Sequence, residues 1–374
     1  VRKTFKYRLF TTRIQSEALD GQLGEACRLY NGALQERRDA YRSHKKSLNY
    51  YDQANQLKDI RAAGDLGLAN FSCCQDILRR VDKTFKSFFL RLKRHQTPGY
   101  PRFKSRRRFD SITFPSYGDG IKLAGNTLRV QGVGEIEVKL HRPVAGTIKT
   151  VTVKRECGKW YVYFSVECDA KPLPPLDNAI GIDLGLEYFA TLTDGPPVPN
   201  PRWYRQAEAR LRRAQRKVTR RPSKGSHRRR KAVALLQKVH ARTRNQRNEF
   251  QHRLSFWLIK NFGTIVVEDL NVKGLAGGML AKSVHDAAWA ALVSKIAYKA
   301  ENAGRTLIKV DPRGTSQTCI CGAIVRKVLS DREHVCTACG LIAPRDAVSA
   351  QVILQRARIS PSRHNVAAFS ACVS

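Results

Sequence analysis

Two short apolar runs in the C-terminal half, Ala179-Ile180-Gly181-Ile182-Asp183-Leu184 and Thr264-Ile265-Val266-Val267-Glu268, carry a carboxylate at or near their end. Unbroken Ile/Val runs of this length read as strands buried on both faces, which means a sheet covered by helices. Taking a carboxylate out of water costs several kcal/mol unless a cation or hydrogen bonds compensate it. An acid placed there therefore needs a purpose. A third acid, Asp346, opens the helix expected over Arg345 to Arg356, where Asp is also an ordinary cap. In an α/β fold, strand ends and a helix start far apart in sequence come together. Three acids so gathered could hold two divalent cations roughly 4 Å apart, suited to in-line phosphodiester hydrolysis. All-oxygen ligands favour Mg²⁺. Asp269 reads as the neighbour that points away or caps a turn, and Gly181 and Gly185 as keeping the backbone around Asp183 open to a ligand.

Charge narrows the substrate. The chain has 68 Lys+Arg against 31 Asp+Glu, a net charge of +37 over 374 residues. Such an excess repels itself unless a polyanion neutralises it, and nucleic acid is the obvious one. A halo of solvated side chains or an anionic membrane surface are the competing readings. Arg dominates the densest stretches and suits bidentate phosphate contacts. Residues 203–261 hold about 20 Lys and Arg against two Glu on a long helical pattern, broken near Pro222-Ser223-Lys224-Gly225. Arg212, Arg213, Arg216, Arg220, Arg228, Arg229 and Arg230 are the phosphate candidates there. No run approaches the ~18 apolar residues of a membrane span, and the N-terminus lacks a signal-peptide core. A cytoplasmic protein with no membrane partner is expected.

The earlier half changes period twice. Residues 1–10 alternate as a strand. Residues 16–95 are helical, with one stripe of Leu19, Leu23, Tyr30, Leu34 and Tyr41, and another of Phe71, Cys74, Leu78, Val81, Phe85, Phe88 and Leu92. Arg79, Arg80, Lys83 and Lys86 lie mostly off the second stripe, as phosphate trackers or a solvated face. In Pro101-Arg102-Phe103-Lys104-Ser105, a ring among cations could stack a base, or simply pack a basic loop. From 110 to 168 the period is two, with turns at Gly125-Asn126, Gly132-Val133-Gly134 and Cys157-Gly158. This reads as a small β-barrel interrupted by a helical insertion, with strand 1–10 returning to it. Lys171-Pro172-Leu173-Pro174-Pro175-Leu176 reads as a stiff linker at a domain boundary. A helix over 286–303, a strand over Thr306-Leu307-Ile308-Lys309-Val310 and the closing helix follow.

Cys319, Cys321, Cys336 and Cys339 form two paired-thiol knuckles 14 residues apart, each followed by glycine. Four thiolates around Zn²⁺ would staple a segment too small for its own core, and leave no open position for catalysis. The first pair is separated by one residue where two are usual; His334 could replace a badly placed thiolate, and a degenerate ribbon with free thiols is the alternative. The remaining cysteines, Cys27, Cys73, Cys74, Cys157, Cys168 and Cys372, lack such spacing.

In this order, Gly181-Ile182-Asp183-Leu184-Gly185, Val266-Val267-Glu268-Asp269-Leu270-Asn271-Val272-Lys273-Gly274-Leu275, Thr315-Ser316-Gln317-Thr318-Cys319 with its paired cysteines, and Arg345-Asp346-Ala347-Val348-Ser349-Ala350 closely resemble the TnpB family. These are transposon-associated proteins related to the compact type V CRISPR nucleases. Pro101 to Ser105 also matches an upstream hallmark, and the similarity spans about residues 1–356. The resemblance implies a fold of α/β plus β class: a RuvC/RNase H-like nuclease domain (178–314 and 343–356) with a zinc-ribbon target-binding insertion (315–342). A β-barrel wedge domain (1–10 and 96–170) precedes it, carrying a helical recognition insertion (11–95), and a tail (357–374) follows. It further implies an RNA-guided endonuclease that cuts double-stranded DNA beside a short adjacent motif, using guide RNA from the transposon end. Asp183, Glu268 and Asp346 would be its Mg²⁺-binding catalytic acids and the four cysteines its Zn²⁺ ligands. A monomer in the prokaryotic nucleoid is the implied setting. Three departures stand: the shortened first knuckle, Pro344 where an acid often precedes Arg-Asp, and Ser349-Ala350 where Asn-Ala is common. The alternatives are a guided DNA-binding repressor that does not cut, a strand-transferring transposase, and a guide-independent junction resolvase.

Overall fold

Strict alternation across the first half produces an antiparallel sheet rather than isolated hairpins. The structure is a computed structural model and describes residues 1–357 apart from 224, 272, 273, 275–280, 329 and 330. Lys224, the motif positions Val272, Lys273 and Leu275, the tail beyond Ala357, and with it Cys372, lie outside the described residues. Two units divide the chain between Cys168 and Asp169.

In the first unit, β1 (Arg2–Phe10), β2 (Ser111–Phe114), β3 (Ile121–Ala124), β4 (Thr127–Val130), β5 (Gly134–Lys139), β6 (Thr147–Glu156) and β7 (Lys159–Glu167) form one sheet in the order β2-β6-β7-β1-β5-β4-β3. Strand β1 sits at its centre, paired antiparallel with β7 over Arg2↔Glu167 to Leu9↔Trp160 and with β5. The end strands β2 and β3 are successive in sequence, so the sheet curls into a nearly closed, barrel-like form.

Between β1 and β2 run α1 (Arg13–His44), α2 (Tyr50–Asn55), α3 (Leu57–Ala62) and α4 (Phe71–Lys93). Thr12 and Gln15 form a reciprocal cap that starts α1. Leu19, Leu23, Tyr30 and Leu34 of α1 join Ile77, Leu78 and Val81 of α4 and Tyr7, Phe114 and Phe164 of the sheet in a single core. The helical segment therefore shares its hydrophobic interior with the strands. Both predicted stripes outrun that core. Tyr41 is 61% exposed and Leu92 is exposed, while Phe88 packs edge-on against Tyr100, as does Phe85 at the edge of the core. Distal turns that reach past the sheet have no apolar surface left to cover.

The second unit contains β8 (Ala179–Asp183), β9 (Tyr188–Leu192), β10 (Val198–Pro199), β11 (Thr264–Glu268) and β12 (Thr306–Val310), ordered β10-β9-β8-β11-β12. Strands β8, β11 and β12 run parallel; β9 and β10 are antiparallel. The remaining helices are α5 (Trp203–Thr219), α6 (His227–Asn261), α7 (Ala281–Ala287), α8 (Trp289–Ala303) and α9 (Arg345–Arg356). The predicted helix over 286–303 is two helices instead, because Ala288 takes a left-handed conformation (φ 51°) between α7 and α8. Residues Ile180, Ile182, Ile265 and Val267 pack under Leu254, Leu258, Leu292 and Ile296 of α6 and α8. On the opposite face, Ala179, Val266 and Val310 meet Ile353 and Leu354 of α9. The proline segment before β8 is not a free linker: the N–H groups of Lys171 and Leu173 donate to Asn302 and Ala303 at the end of α8, and Arg305 binds the Pro174 carbonyl. Among the described residues, no helix is long and apolar enough to cross a membrane.

Candidate active site and thiolate cluster

The three acids converge through register and one glycine. Side chains alternate across a strand, so Asp183 lies on the same face as Ala179, and Glu268 on the same face as Val266. That face is the one covered by α9. The parallel ladder pairs Val266 with Gly181 and Val267 with Ile182, so Glu268 stands one step along, beside Asp183 on the neighbouring strand. Asp346 arrives from the helix. A Cβ on Gly181 would stand 2.3 Å from the carbonyl oxygen of Ala350 and 3.0 Å from Leu354 Cβ, so α9 lies directly on the strand there. Asp346 precedes Ala350 by one helical turn, on the same side of α9. The glycine read as leaving room for a ligand instead makes room for this helix.

Electrostatics records the convergence. Burial, then the charges of Glu268 and Asp346, push the Asp183 carboxyl up to about 8, with Arg345 opposing. Burial also raises Glu268, which is 8% exposed, against a hydrogen bond from Thr315 and the charge of Arg356. The Thr315 hydroxyl donates to Glu268 Oε1. Arg345 Nε donates to Asp346 Oδ1 at 3.1 Å, and its Nη1 to the Asp331 carbonyl. The neighbouring charges of Glu268 and Asp346 raise the cost of ionising Asp183. A cation beside them would offset that cost, and an all-oxygen donor set suits a hard one. Asp269 points away, exposed and paired with Lys309 at 3.3 Å.

The cysteine segment leaves β12, turns through a 3₁₀ turn at Thr315–Gln317, and returns through the short hairpin β13 (Glu333–Val335) and β14 (Ile342–Pro344) to α9. Sulfur atoms of Cys319, Cys321, Cys336 and Cys339 all lie within 4.8 Å of one another, with Cys319–Cys339 at 3.6 Å and Cys321–Cys336 at 3.7 Å. Tetrahedral zinc with Zn–S of about 2.3 Å needs sulfurs about 3.8 Å apart, so the shortened knuckle still fits. Gly322 and Gly340 adopt the left-handed conformation after each pair (φ 92° and 72°). His334 is not in the cluster: its buried ring meets Lys327 through Nδ1.

The basic candidates separate by their surroundings. Arg212, Arg213 and Arg216 of α5, Arg220 just past its end, and Arg228 and Arg230 of α6 are exposed on a helical hairpin held together by Leu211, Ala214, Val218 and Ala232. Arg212 also approaches Glu208, at 3.4 Å. Arg229 instead turns inward and donates to the Val218 and Arg221 carbonyls, closing the hairpin. In the first unit, Arg79, Lys83, Lys86, Arg102 and Phe103 are exposed. Lys86 pairs with Asp82, Arg79 lies over Tyr50, and Arg38 lies over Phe103. Two candidates are occupied within the fold. Arg80 binds Asp76, the Ser111 carbonyl and Thr113 Oγ1. Lys104 is half-buried over the rings of Tyr30 and Phe109, its charge disfavoured by burial. Sequence reading missed Thr315 and Arg345 as partners of the acids. Both stand inside the quoted motif runs, yet nothing in one sequence says which of their side chains reaches an acid.

Comparison with known proteins places these features in company. Residues 146–278 match the family model described as "Probable transposase" (OrfB_IS605), and residues 289–353 match "Cas12f1-like, TNB domain". Residues 1–46 match a model described as "Helix-turn-helix domain", although here they form β1 and the single long helix α1. A "Putative RNA-guided DNA endonuclease" of Streptomyces pristinaespiralis is 33% identical over 364 residues, covering 95% of this chain and 89% of the relative. The "Putative RNA-guided DNA endonuclease InsQ" of Escherichia coli K12 is 28% identical, covering 91% and 89%. Among solved structures, the Cas12f1–sgRNA–target DNA complex matches with a TM-score of 0.59 at 17% identity, covering 91% of this chain and 83% of that one. That likeness is one of fold.

Proposed function

The chain belongs to the TnpB family, and from that membership we propose that it is an RNA-guided DNA endonuclease in which Asp183, Glu268 and Asp346 hold divalent cations, most suitably Mg²⁺. The observation that carries this reading is the seating of α9 on Gly181 beside the Asp183–Glu268 step of the ladder, which gathers three acids on one face of the sheet. Two cations bound there would supply charge for the attacking and leaving oxygens of a phosphodiester. The protein's own part is to keep three acids close at a cost in stability, orient Glu268 with the Thr315 hydroxyl, and hold Asp346 with Arg345. Cys319, Cys321, Cys336 and Cys339 would hold zinc in a structural role.

The guide RNA pairs with one strand of a double-stranded target, while the protein reads backbone shape and a short duplex motif. Exposed arginines of the α5–α6 hairpin, namely Arg212, Arg213, Arg216, Arg220, Arg228 and Arg230, are suited to phosphates of the guide or heteroduplex. Arg79, Lys83, Lys86, Arg102 and Phe103 offer a second basic and aromatic surface on the first unit. A guided repressor that does not cut is disfavoured because all three acids are retained.

The test is to purify the protein with co-expressed RNA, sequence that RNA, and assay Mg²⁺-dependent cleavage of a matching duplex, with Asp183→Ala as control. Guided cutting lost in the variant is the expected result. Binding without cutting would favour the repressor; cutting indifferent to the RNA would favour a resolvase.

A further inference from the structure

We propose that Thr315 is a positioning residue for Glu268, and that through it the four-cysteine segment sets the geometry of the carboxylate site. The inference rests on the metal-binding reading of the three acids given above and adds a dependence of that site on the thiolates.

Thr315 is 4% exposed, and its hydroxyl lies between Glu268 Oε1 and the Pro312 carbonyl, 3.0 Å away. Both are acceptors and the hydroxyl has one hydrogen, so the ionised carboxylate takes it, a charged acceptor making the stronger bond. One Glu268 oxygen is thereby fixed, and the other is left free to bind a cation.

The turn carrying Thr315 is itself tied at both ends. Upstream, the Arg356 guanidinium binds the carbonyls of Asp311 and Arg313, at 2.7 and 2.8 Å. Gly314, just before the turn, takes a left-handed conformation (φ 71°), and its carbonyl accepts from Thr318 Oγ1, just downstream, at 2.7 Å. Val325 N donates to the Gln317 carbonyl at 2.7 Å, and Thr318 bridges to Ile324. These contacts wrap the first knuckle directly onto the turn. Cys319 follows Thr315 by four residues, so the loop that delivers the hydroxyl is closed by the thiolates.

The far end of the segment repeats the arrangement. Arg345, bound to Asp346, takes the Arg332 carbonyl with its N–H at 2.8 Å and the Asp331 carbonyl with its guanidinium at 3.0 Å. One end of the stapled segment thus binds Glu268 directly, and its other end holds the arginine that binds Asp346. Groups that orient metal ligands from outside typically change metal affinity by 10–100-fold when removed.

The experiment uses RNA-free full-length protein and Mn²⁺ as the probe, titrated by calorimetry, with zinc content measured by elemental analysis and folding by thermal unfolding. The site is defined as Mn²⁺ binding lost in Asp183→Ala. Thr315→Val, which keeps the shape and removes the hydroxyl, should weaken that binding roughly tenfold or more, while Thr315→Ser stays within about threefold of wild type. Cys336→Ser should lose zinc and weaken Mn²⁺ binding comparably, and Thr315→Val/Cys336→Ser should be no weaker than the worse single variant, since both act through one link. Wild-type affinity in Thr315→Val, or losses that multiply in the double variant, would overturn the proposal. Absence of any Asp183-dependent binding in wild type would instead overturn the metal-binding reading on which it stands.

Discussion

Replacing Asp183 by Asn should stabilise the magnesium-free protein while abolishing cleavage. The carboxyl is lifted from 3.8 to about 8, first by burial and then by Glu268 and Asp346. Because the folded-state value is the higher one, the folded protein binds more protons than the unfolded chain between those limits. Stability contributed by this group is therefore full below about pH 4 and falls as pH rises, levelling off above about 8. The shift spans roughly four pH units at about 1.4 kcal/mol each, so the cost approaches at most about 5 kcal/mol near pH 8. Asn has nearly the same shape and no charge, and escapes it. For a unit of this size each kcal/mol moves the melting temperature by roughly 2–4 °C. Thermal unfolding in magnesium-free buffer should place Asp183→Asn up to roughly 10–20 °C above wild type at pH 8, with the gap shrinking to a few degrees at pH 5. Added Mg²⁺ should raise the wild type and leave the variant unmoved. A variant equal to or less stable than wild type at pH 8, or a gap that widens on acidification, would refute the picture of three acids held together at a cost.

Further outcomes follow from the same geometry. Gly181→Ala places a methyl group 2.3 Å from the Ala350 carbonyl; it should destabilise the second unit by about 1–3 kcal/mol in urea unfolding and cut cleavage by displacing α9 and Asp346. Arg80→Ala should cost about 1–3 kcal/mol by orphaning Asp76 and the Ser111 carbonyl, while exposed Arg79→Ala leaves the unfolding midpoint in place. Raising salt from 50 to 200 mM should weaken RNA binding by about 10³-fold or more in a filter-binding assay, for roughly six or more phosphate contacts. Neutralising Arg212, Arg213 and Arg216 together should flatten that slope; an unchanged slope would remove the α5–α6 hairpin from the interface.

Much of the candidate site was legible from the residues alone. An Ile/Val strand has no use for a terminal acid unless something binds it, so Asp183 and Glu268 stand out from two short windows. The paired cysteines stand out because four thiols at such spacing have few other uses. Asp346 was harder to weigh, since an acid at a helix start has an ordinary explanation, and family resemblance singled it out. The basic residues show where this kind of reading stops. Arg79 and Arg80 are adjacent and chemically identical, yet one is exposed and the other clamps β2 to α4. Helical spacing distinguishes faces only to within a residue, and which carbonyl happens to lie opposite depends on a strand more than thirty positions away. The role of Gly181 was misjudged for a related reason: a glycine announces a close approach without saying what approaches.

Local order was already written in the chain: the periods, the alternation that puts Asp183 and Glu268 on definite faces of their strands, and the two close pairs of cysteines all depend on spacing within a few residues. Tertiary structure alone decided that the two strands pair in a register that sets the acids side by side, and that α9 rests on Gly181. It also decided that Thr315 reaches back to Glu268 and that the carbonyls of Asp331 and Arg332 hold Arg345 beside Asp346. Each of those depends on residues well separated along the chain, where the energy comes from packing and register that no local pattern encodes.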